Sequence, residues 1–377
     1  MDIPGIKRRG ANLPEDAPIS SDLFRVVTPL YDFSSDSDEL SIGELFSLTR
    51  YRHGSSLPFP LVPDDPFYKV LQLYEPDFLM WQLASPVAET FSRPLSNPAF
   101  SCTSSEAAEA ILTSEVMANT LDRVFFFPAV NLFRLLRLFK PGRLVAGDSF
   151  CILKGDKELY GTVFWRRCSE MVIDYGLLPM MSGSYALSSL EVPFFNLFSG
   201  SLLPVLESLQ KASNINSPSA LEVALELYSE DEQRLDLAVL NAFTAFEALL
   251  MGNESSEITY RLSLRVANLL EFDDASRVKT FRDMKEFYEL RSKIIHGSAS
   301  KLNPKLQTRL QELDSLRELL RRTILSVMAL NLDGNLTGKR LDVLLDEIVL
   351  NQAKRMEVQE LAAKFLHVEA TPPHIVQ

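Results

Sequence analysis

Arg291 and His296 stand five residues apart in the stretch Tyr288-Glu289-Leu290-Arg291-Ser292-Lys293-Ile294-Ile295-His296-Gly297. The first is a permanent cation; the second is a base whose type titrates near neutrality. Together they hold what is needed to cut RNA without a metal. The 2′-hydroxyl beside a phosphodiester attacks phosphorus once a base removes its proton. An acid then protonates the leaving oxygen, and positive charge steadies the crowded phosphorane. Histidine serves either proton transfer, and the planar guanidinium grips two phosphate oxygens at once. The chain has four histidines, His53, His296, His367 and His374, and His296 alone has such a neighbourhood.

The element that must position this pair reads as a helix over Ser276 to His296, closed by Gly297. Positions five apart on a straight helix point about 140° away from one another. Convergence therefore requires either that His296 swings as the helix ends or that two antiparallel copies complete each other's pocket. The spacing by itself is weak, because Arg-x-x-x-x-His arises often by chance and His-Gly is an ordinary helix stop.

Charge narrows the class of partner. The net charge of −12 argues against a general nucleic-acid coat, since bulk affinity for phosphate needs excess lysine and arginine. From Arg277 to Lys301, however, seven basic residues face three acids. That local +4 leaves −16 for the rest of the chain, which suits contact with one phosphate segment or, alternatively, a solvated helix face laced with i,i+4 pairs.

Composition places 377 residues, 46% hydrophobic and 23% charged, among soluble globular proteins of two domains. Cys102, Cys151 and Cys168 are too few and too scattered for a disulfide framework or a zinc site. A reducing, cytoplasmic compartment is expected. Lys7, Arg8 and Arg9 precede no apolar run, so no signal peptide is expected. The run Val124 to Phe139 contains Pro128, Arg134 and Arg137, too short and charged to span a bilayer, and no membrane partner is expected.

Proline divides the chain. Seventeen of 21 prolines lie in residues 1–204, and between 219 and 371 only Pro304 remains. Eighteen of 24 phenylalanines and both tryptophans precede residue 200. We therefore expect a mixed α+β domain over 1–210, a linker over 211–218, a helical bundle over 219–350, and a terminal helix and tail over 351–377. In the first part, Glu44 to Arg50 reads as strand, 104–139 as helix capped near Ser105-Glu106, and Leu144 to Leu153, Glu158 to Arg166 and Glu170 to Ile173 as strands. In the second, helices are expected over Leu221–Ser229, Glu232–Met251 (ended by Gly252-Asn253), Glu257–Leu270 (capped by Ser255 or Ser256) and Pro304 to about Leu330. Shorter helices follow Asp333-Gly334 and Asn351.

Asn241, Thr244 and Glu247 make a polar ridge on an otherwise apolar helix. A carboxylate inside a bundle needs a partner, and Arg291 or Arg265 is the expected one. Glu247 then either orients the arginine or ties helices together, the tie being the preferred reading. Arg265 and Tyr288 read as packing and hydrogen-bonding residues. Gly338-Lys339-Arg340 lacks the glycine a phosphate loop needs five residues earlier, where Asp333 stands. There is no HExxH, CxxC pair or GxGxxG, so no cofactor is expected. His53, beside Arg50, Tyr51 and Arg52, reads as a cationic surface turn.

Three blocks taken together, Asp236 to Leu250 with its Phe246-Glu247-Ala248-Leu249-Leu250, Ile258 to Leu270, and Phe287 to Gly297, resemble the HEPN superfamily, and within it the ApeA-like branch. The resemblance covers about residues 219–350. It implies a bundle of four or five helices that forms a homodimer, with Arg291 and His296 of each copy lining a shared cleft. It further implies a metal-independent endoribonuclease of phage defence or toxin type, with RNA as substrate. Glu247, Ser292, Tyr288 and Lys293 stand as supporting residues. Many nuclease members carry Asn, Asp or His after the arginine, where this chain has Ser292. Other members only bind RNA, nucleotides or partner proteins, so a non-catalytic binding module is the alternative. The first domain carries no recognised motif, and its ligand or sensor target is open.

Overall fold

The computed structural model describes residues 24–31, 33–43, 46–52, 79–86, 127–142, 144–146, 148–154, 159–167, 185–212, 218–229, 234–252, 257–296, 303–332 and 338–366. These residues are mainly helical. Ten helices stand against nine strands, three of which have only two residues. The expectations placed on Ser105-Glu106, Glu170–Ile173, His53, Cys102, Cys168, Ser255, Ser256, Gly297, His367 and His374 lie outside the described residues. By contact the chain divides into two units, residues 1–133 with 142–196, and residues 134–141 with 197–377.

In the first unit the strands are β1 (Phe24–Tyr31), β2 (Phe33–Ser34), β3 (Glu39–Ile42), β4 (Phe46–Arg52), β5 (Leu79–Pro86), β6 (Val145–Ala146), β7 (Asp148–Lys154), β8 (Leu159–Arg167) and β9 (Tyr185–Ala186). Antiparallel pairing orders the main sheet β3-β4-β5-β1-β7-β8, with β6 also on β1. Register is fixed by pairs such as Val27 with Ala84 and Val26 with Cys151. β3 alternates exposed Glu39 and Ser41 with buried Leu40 and Ile42, the period of a sheet with one wet face. β2 and β9 pair in parallel, and Phe33 stacks on Tyr185 at 5.9 Å. The stretch expected as one strand, Leu144 to Leu153, holds β6 and β7.

α1 (Phe127–Phe139) and α2 (Val192–Ala212) follow in chain order. α2 contains Pro204 and takes in Lys211 and Ala212, the first residues of the expected linker. Its Val192–Leu209 window is the one described helix long and apolar enough, by length and composition, to cross a membrane.

The second unit is built from α3 (Ala220–Ser229), α4 (Leu235–Leu250), α5 (Ile258–Leu270), α6 (Asp274–Ile295), α7 (Pro304–Gln311), α8 (Leu313–Leu330), α9 (Gly338–Leu350) and α10 (Gln352–Leu366). α4 is the central helix. Val239, Phe243, Phe246 and Leu250 are fully buried on it, and it packs against α3, α6 and α8. Its end comes at Gly252, whose φ of +52° is a backbone state that glycine enters without steric cost. α6 buries only a narrow stripe, Thr280, Met284, Phe287 and Leu290, at helical spacing. Flanking that stripe are half-buried side chains such as Phe281, Asp283, Glu286, Tyr288 and Arg291, and the remainder faces water, which is why its composition is so polar.

Three boundaries in this unit differ from expectation, the first being α4, which starts at Leu235 after its N-cap Arg234 and not at Glu232. α6 starts at Asp274, not Ser276, because Asp273 is the cap: its side chain accepts from the Ser276 N–H at 2.8 Å. The helix expected from Pro304 to Leu330 is two helices, broken at Glu312. The leucine period runs through the break, so the cause is tertiary. Arg309 binds Asp283 at 2.5 Å and Glu286 at 2.8 Å, clamping α7 to α6, while Leu313, Leu316 and Leu320 sink into the core. Glu312 closes the clamp on Arg309 at 2.6 Å.

Buried polar side chains close the helix ends. Arg265, 2% exposed, donates to the Leu250 carbonyl and pairs with Asp342 at 3.3 Å and Asp346 at 2.7 Å. Arg321 donates to the carbonyls of Leu138 and Phe139 at 2.6 and 3.1 Å, which attaches residues 134–141 to this unit. From α10, Gln359 donates to the carbonyls of Asn268 and Glu271, both at 2.8 Å, and Arg355 donates to the Asn268 side chain at 3.1 Å. Arg265, Arg321 and Gln359 thus bring donors to backbone carbonyls at helix ends, while Arg355 ties the Asn268 amide to α10.

Candidate functional site

Arg291 sits on the α4-facing side of α6, one turn before that helix ends. Its Nη2 lies 3.2 Å from Glu247 Oε1 and donates to Oε2 at 3.3 Å. Nη1 donates to the Tyr288 hydroxyl at 3.4 Å, and the guanidinium lies 5.1 Å from the centre of the Tyr288 ring. Tyr288 in turn meets Phe243 edge to face at 5.3 Å, so the aromatic wall beneath the arginine is anchored in the core of α4. The side chains of Arg291 and Glu247 are 21% and 26% exposed. The cation is thus held in place and still meets water. Of the two partners expected for Glu247, Arg291 is the one present. Arg265 has its own carboxylates on α9. Nε of Arg291 is buried without a hydrogen-bond partner among the described residues.

His296 lies at the other side of the same helix end. Its N–H bonds to the Ser292 carbonyl at 3.2 Å, and its φ and ψ are −83° and 15°. The helical ladder therefore reaches His296 intact, and the backbone has not swung away before it. The offset of about 140° from Arg291 persists within one chain. His296 and Lys293 are exposed, while Ser292 and Tyr288 are half-buried. Of the polar ridge on α4, Thr244 bonds back to the Leu240 carbonyl at 2.9 Å, and only Glu247 reaches α6. Within one chain, then, the fold gathers Glu247, Tyr288 and Arg291 and leaves His296, Ser292 and Lys293 on the adjoining face.

Among the described residues no three His, Cys, Asp or Glu side chains gather in a way that could hold a metal ion. An open concavity of about 450 Å³ lies further back along α6, lined by Glu257, Ile258, Thr259, Tyr260 and Lys285. Tyr260 is 51% exposed and stands edge-on to Phe281 at 5.6 Å, with Lys285 Nζ 5.5 Å from the Phe281 ring centre. The sequence reading did not single out Tyr260 and counted Lys285 only toward the local charge. The signal was the spacing: Phe281 and Lys285 are one helical turn apart on a helix whose buried stripe lies elsewhere.

The arrangement can do two things chemically. A planar cation beside a carboxylate and a phenol is preset to receive an anion in one plane. An exposed imidazole at the same helix end can move a proton at a group brought to that face. Comparisons of the chain with protein-family models, with curated proteins and with solved structures return no match, so any role rests on these side chains alone.

Proposed function

We propose that the second unit is a HEPN-type helical bundle acting as a metal-independent endoribonuclease, and that the first part is an α+β domain that senses or recruits. The observation that carries the reading is Arg291, held by Glu247 and Tyr288 yet still reached by water, five residues before an exposed His296. In the reaction a base takes the proton of the RNA 2′-hydroxyl and the O2′–P bond forms. The P–O5′ bond then breaks, and an acid protonates the departing oxygen. The products are a 2′,3′-cyclic phosphate and a 5′-hydroxyl. Arg291 binds the phosphate, and His296 is the general acid or base. Because the helix holds the two apart within one chain, the pocket is completed by a second antiparallel copy, and the active form is a homodimer. A cytoplasmic setting and a part in phage defence or toxicity belong to the same proposal.

Incubating the purified protein with total RNA, with and without EDTA, tests this. Expected is cutting that survives EDTA, leaves cyclic phosphate ends, and vanishes in Arg291→Ala and in His296→Ala while both variants stay folded. Full cutting by folded His296→Ala excludes the mechanism.

A second reading has its own support. The Arg291–Glu247 ion pair already neutralises the cation, and Ser292 replaces the residue common in nuclease members. In that case the bundle binds RNA, a nucleotide or a protein without turnover, and the same incubation shows binding and no products.

A further inference from the structure

The cations of α6 fall into two sets. Arg277, Lys279 and Arg291 are each paired with an acid: Asp274, Asp283 at 3.1 Å, and Glu247. Arg282, Lys285 and Lys293 form no ion pair among the described residues. With Glu289 and His296 they are spaced three, four, four and three residues apart, and all five are exposed. That spacing places them on one face of the helix, over about 21 Å of its length. Glu289 interrupts the row but leaves it net positive. At its middle, Lys285 also lines the 450 Å³ concavity from which Tyr260 projects.

We infer that this face of α6 is a track for single-stranded RNA, with Arg282, Lys285 and Lys293 on successive phosphates and one base stacked on Tyr260. Three observations select that partner. Cations without acid partners are what phosphate neutralisation requires. A half-exposed aromatic ring beside a lysine offers a stacking surface that any unpaired base fits and a duplex cannot reach. The remainder of the chain, at −16, repels a polyanion and confines it to this face. The track leads to His296, so the strand is delivered to the histidine rather than to Arg291. This inference rests on RNA being the substrate, as proposed above.

The test uses the full chain and a fluorescein-labelled 2′-O-methyl RNA single strand, which lacks the attacking hydroxyl and so reports binding alone. Wild type is expected to bind. Arg282→Ala/Lys285→Ala/Lys293→Ala is expected to bind at least roughly tenfold more weakly, with the slope of log affinity against log salt shallower by about 2. Tyr260→Ala is expected to weaken binding about tenfold with the slope unchanged. A triple variant with wild-type melting temperature, affinity and slope overturns the track, as does a wild type that does not bind. Should the triple variant fail to fold, Lys293→Glu read against wild type gives the same decision. Cutting of unmodified RNA is scored separately. Binding through the track without cutting sinks the nuclease reading and leaves the track standing. Cutting that persists through the track variants, with binding unmoved, does the reverse.

Discussion

The Arg291 guanidinium and the Glu247 carboxylate meet at 3.2 and 3.3 Å between α6 and α4, with Tyr288 beneath them. The pair fixes the direction of the cation and also competes with any phosphate for it. Whether Glu247 orients the arginine or only ties α4 to α6 is decided by removing its charge.

Glu247→Gln keeps the volume and removes the charge. Because both side chains retain some solvent, the expected stability loss is small, about 1 kcal/mol. If Glu247 orients Arg291, cutting slows more than RNA binding weakens, and Arg291→Lys fails to substitute because it lacks the planar fork. A Glu247→Gln protein that cuts at the wild-type rate but melts earlier would show that the pair only ties the helices. The measurement is the rate and Km of cutting beside a thermal melt.

Arg265 makes the larger structural contribution. It is 2% exposed and answers the Leu250 carbonyl, Asp342 and Asp346 together. Arg265→Ala is expected to destabilise by about 3 kcal/mol or more, from the cavity, the stranded carbonyl and the lost carboxylate contacts. Denaturant unfolding checks this. A loss below about 1 kcal/mol would mean that the network is dispensable.

Burial pushes the Tyr228 hydroxyl up to about 12 from an ordinary value of 10.0, with nearby arginines opposing only in part. A raised acid is protonated more tightly in the folded chain. Its contribution is therefore complete below pH 10 and lost as pH rises toward 12, roughly 3 kcal/mol in all. The hydroxyl also donates to the Arg137 carbonyl at 3.1 Å. Tyr228→Phe is expected to cost about 1 kcal/mol at neutral pH and to flatten the alkaline loss. Melting curves at alkaline pH read both effects.

At the α6–α7 clamp the opposite sign holds. Burial alone would raise Glu286, but hydrogen bonds from Lys305 and Arg309 outweigh it and hold the carboxyl below its ordinary 4.5. A depressed acid contributes stability that is present above its unfolded value and lost as pH falls through the lower folded one. Glu286→Gln should therefore lower the melting temperature at neutral pH and shrink its fall in acid. An unchanged acid profile in the variant would assign that fall to other carboxylates.

The helices were legible because their signals are local. Apolar period, a proline at the start of α7 and a glycine after α4 mark the elements without reference to neighbours. Glu247 was legible as a polar residue in an apolar stripe, and its partner was narrowed to two arginines. What sequence could not supply was tertiary. Asp342 and Asp346 lie 77 and 81 residues after Arg265 with no periodic signal to join them. The break at Glu312 comes from Arg309 reaching acids on another helix, while the leucine spacing reads straight through it. The row of cations on α6 was counted as charge, and only the pairing of its neighbours separates the members that carry no acid from those that do.

Gln359 closes the end of α5 from α10, the last described helix. During synthesis α5 and α6 therefore leave the ribosome long before the side chain that seals them. Until α10 emerges, the Asn268 carbonyl lacks the Gln359 amide, and the Glu271 carbonyl has Arg277 as its donor at 3.2 Å. Completion of this helix end therefore waits on a side chain that lies 88 to 91 residues further along the chain.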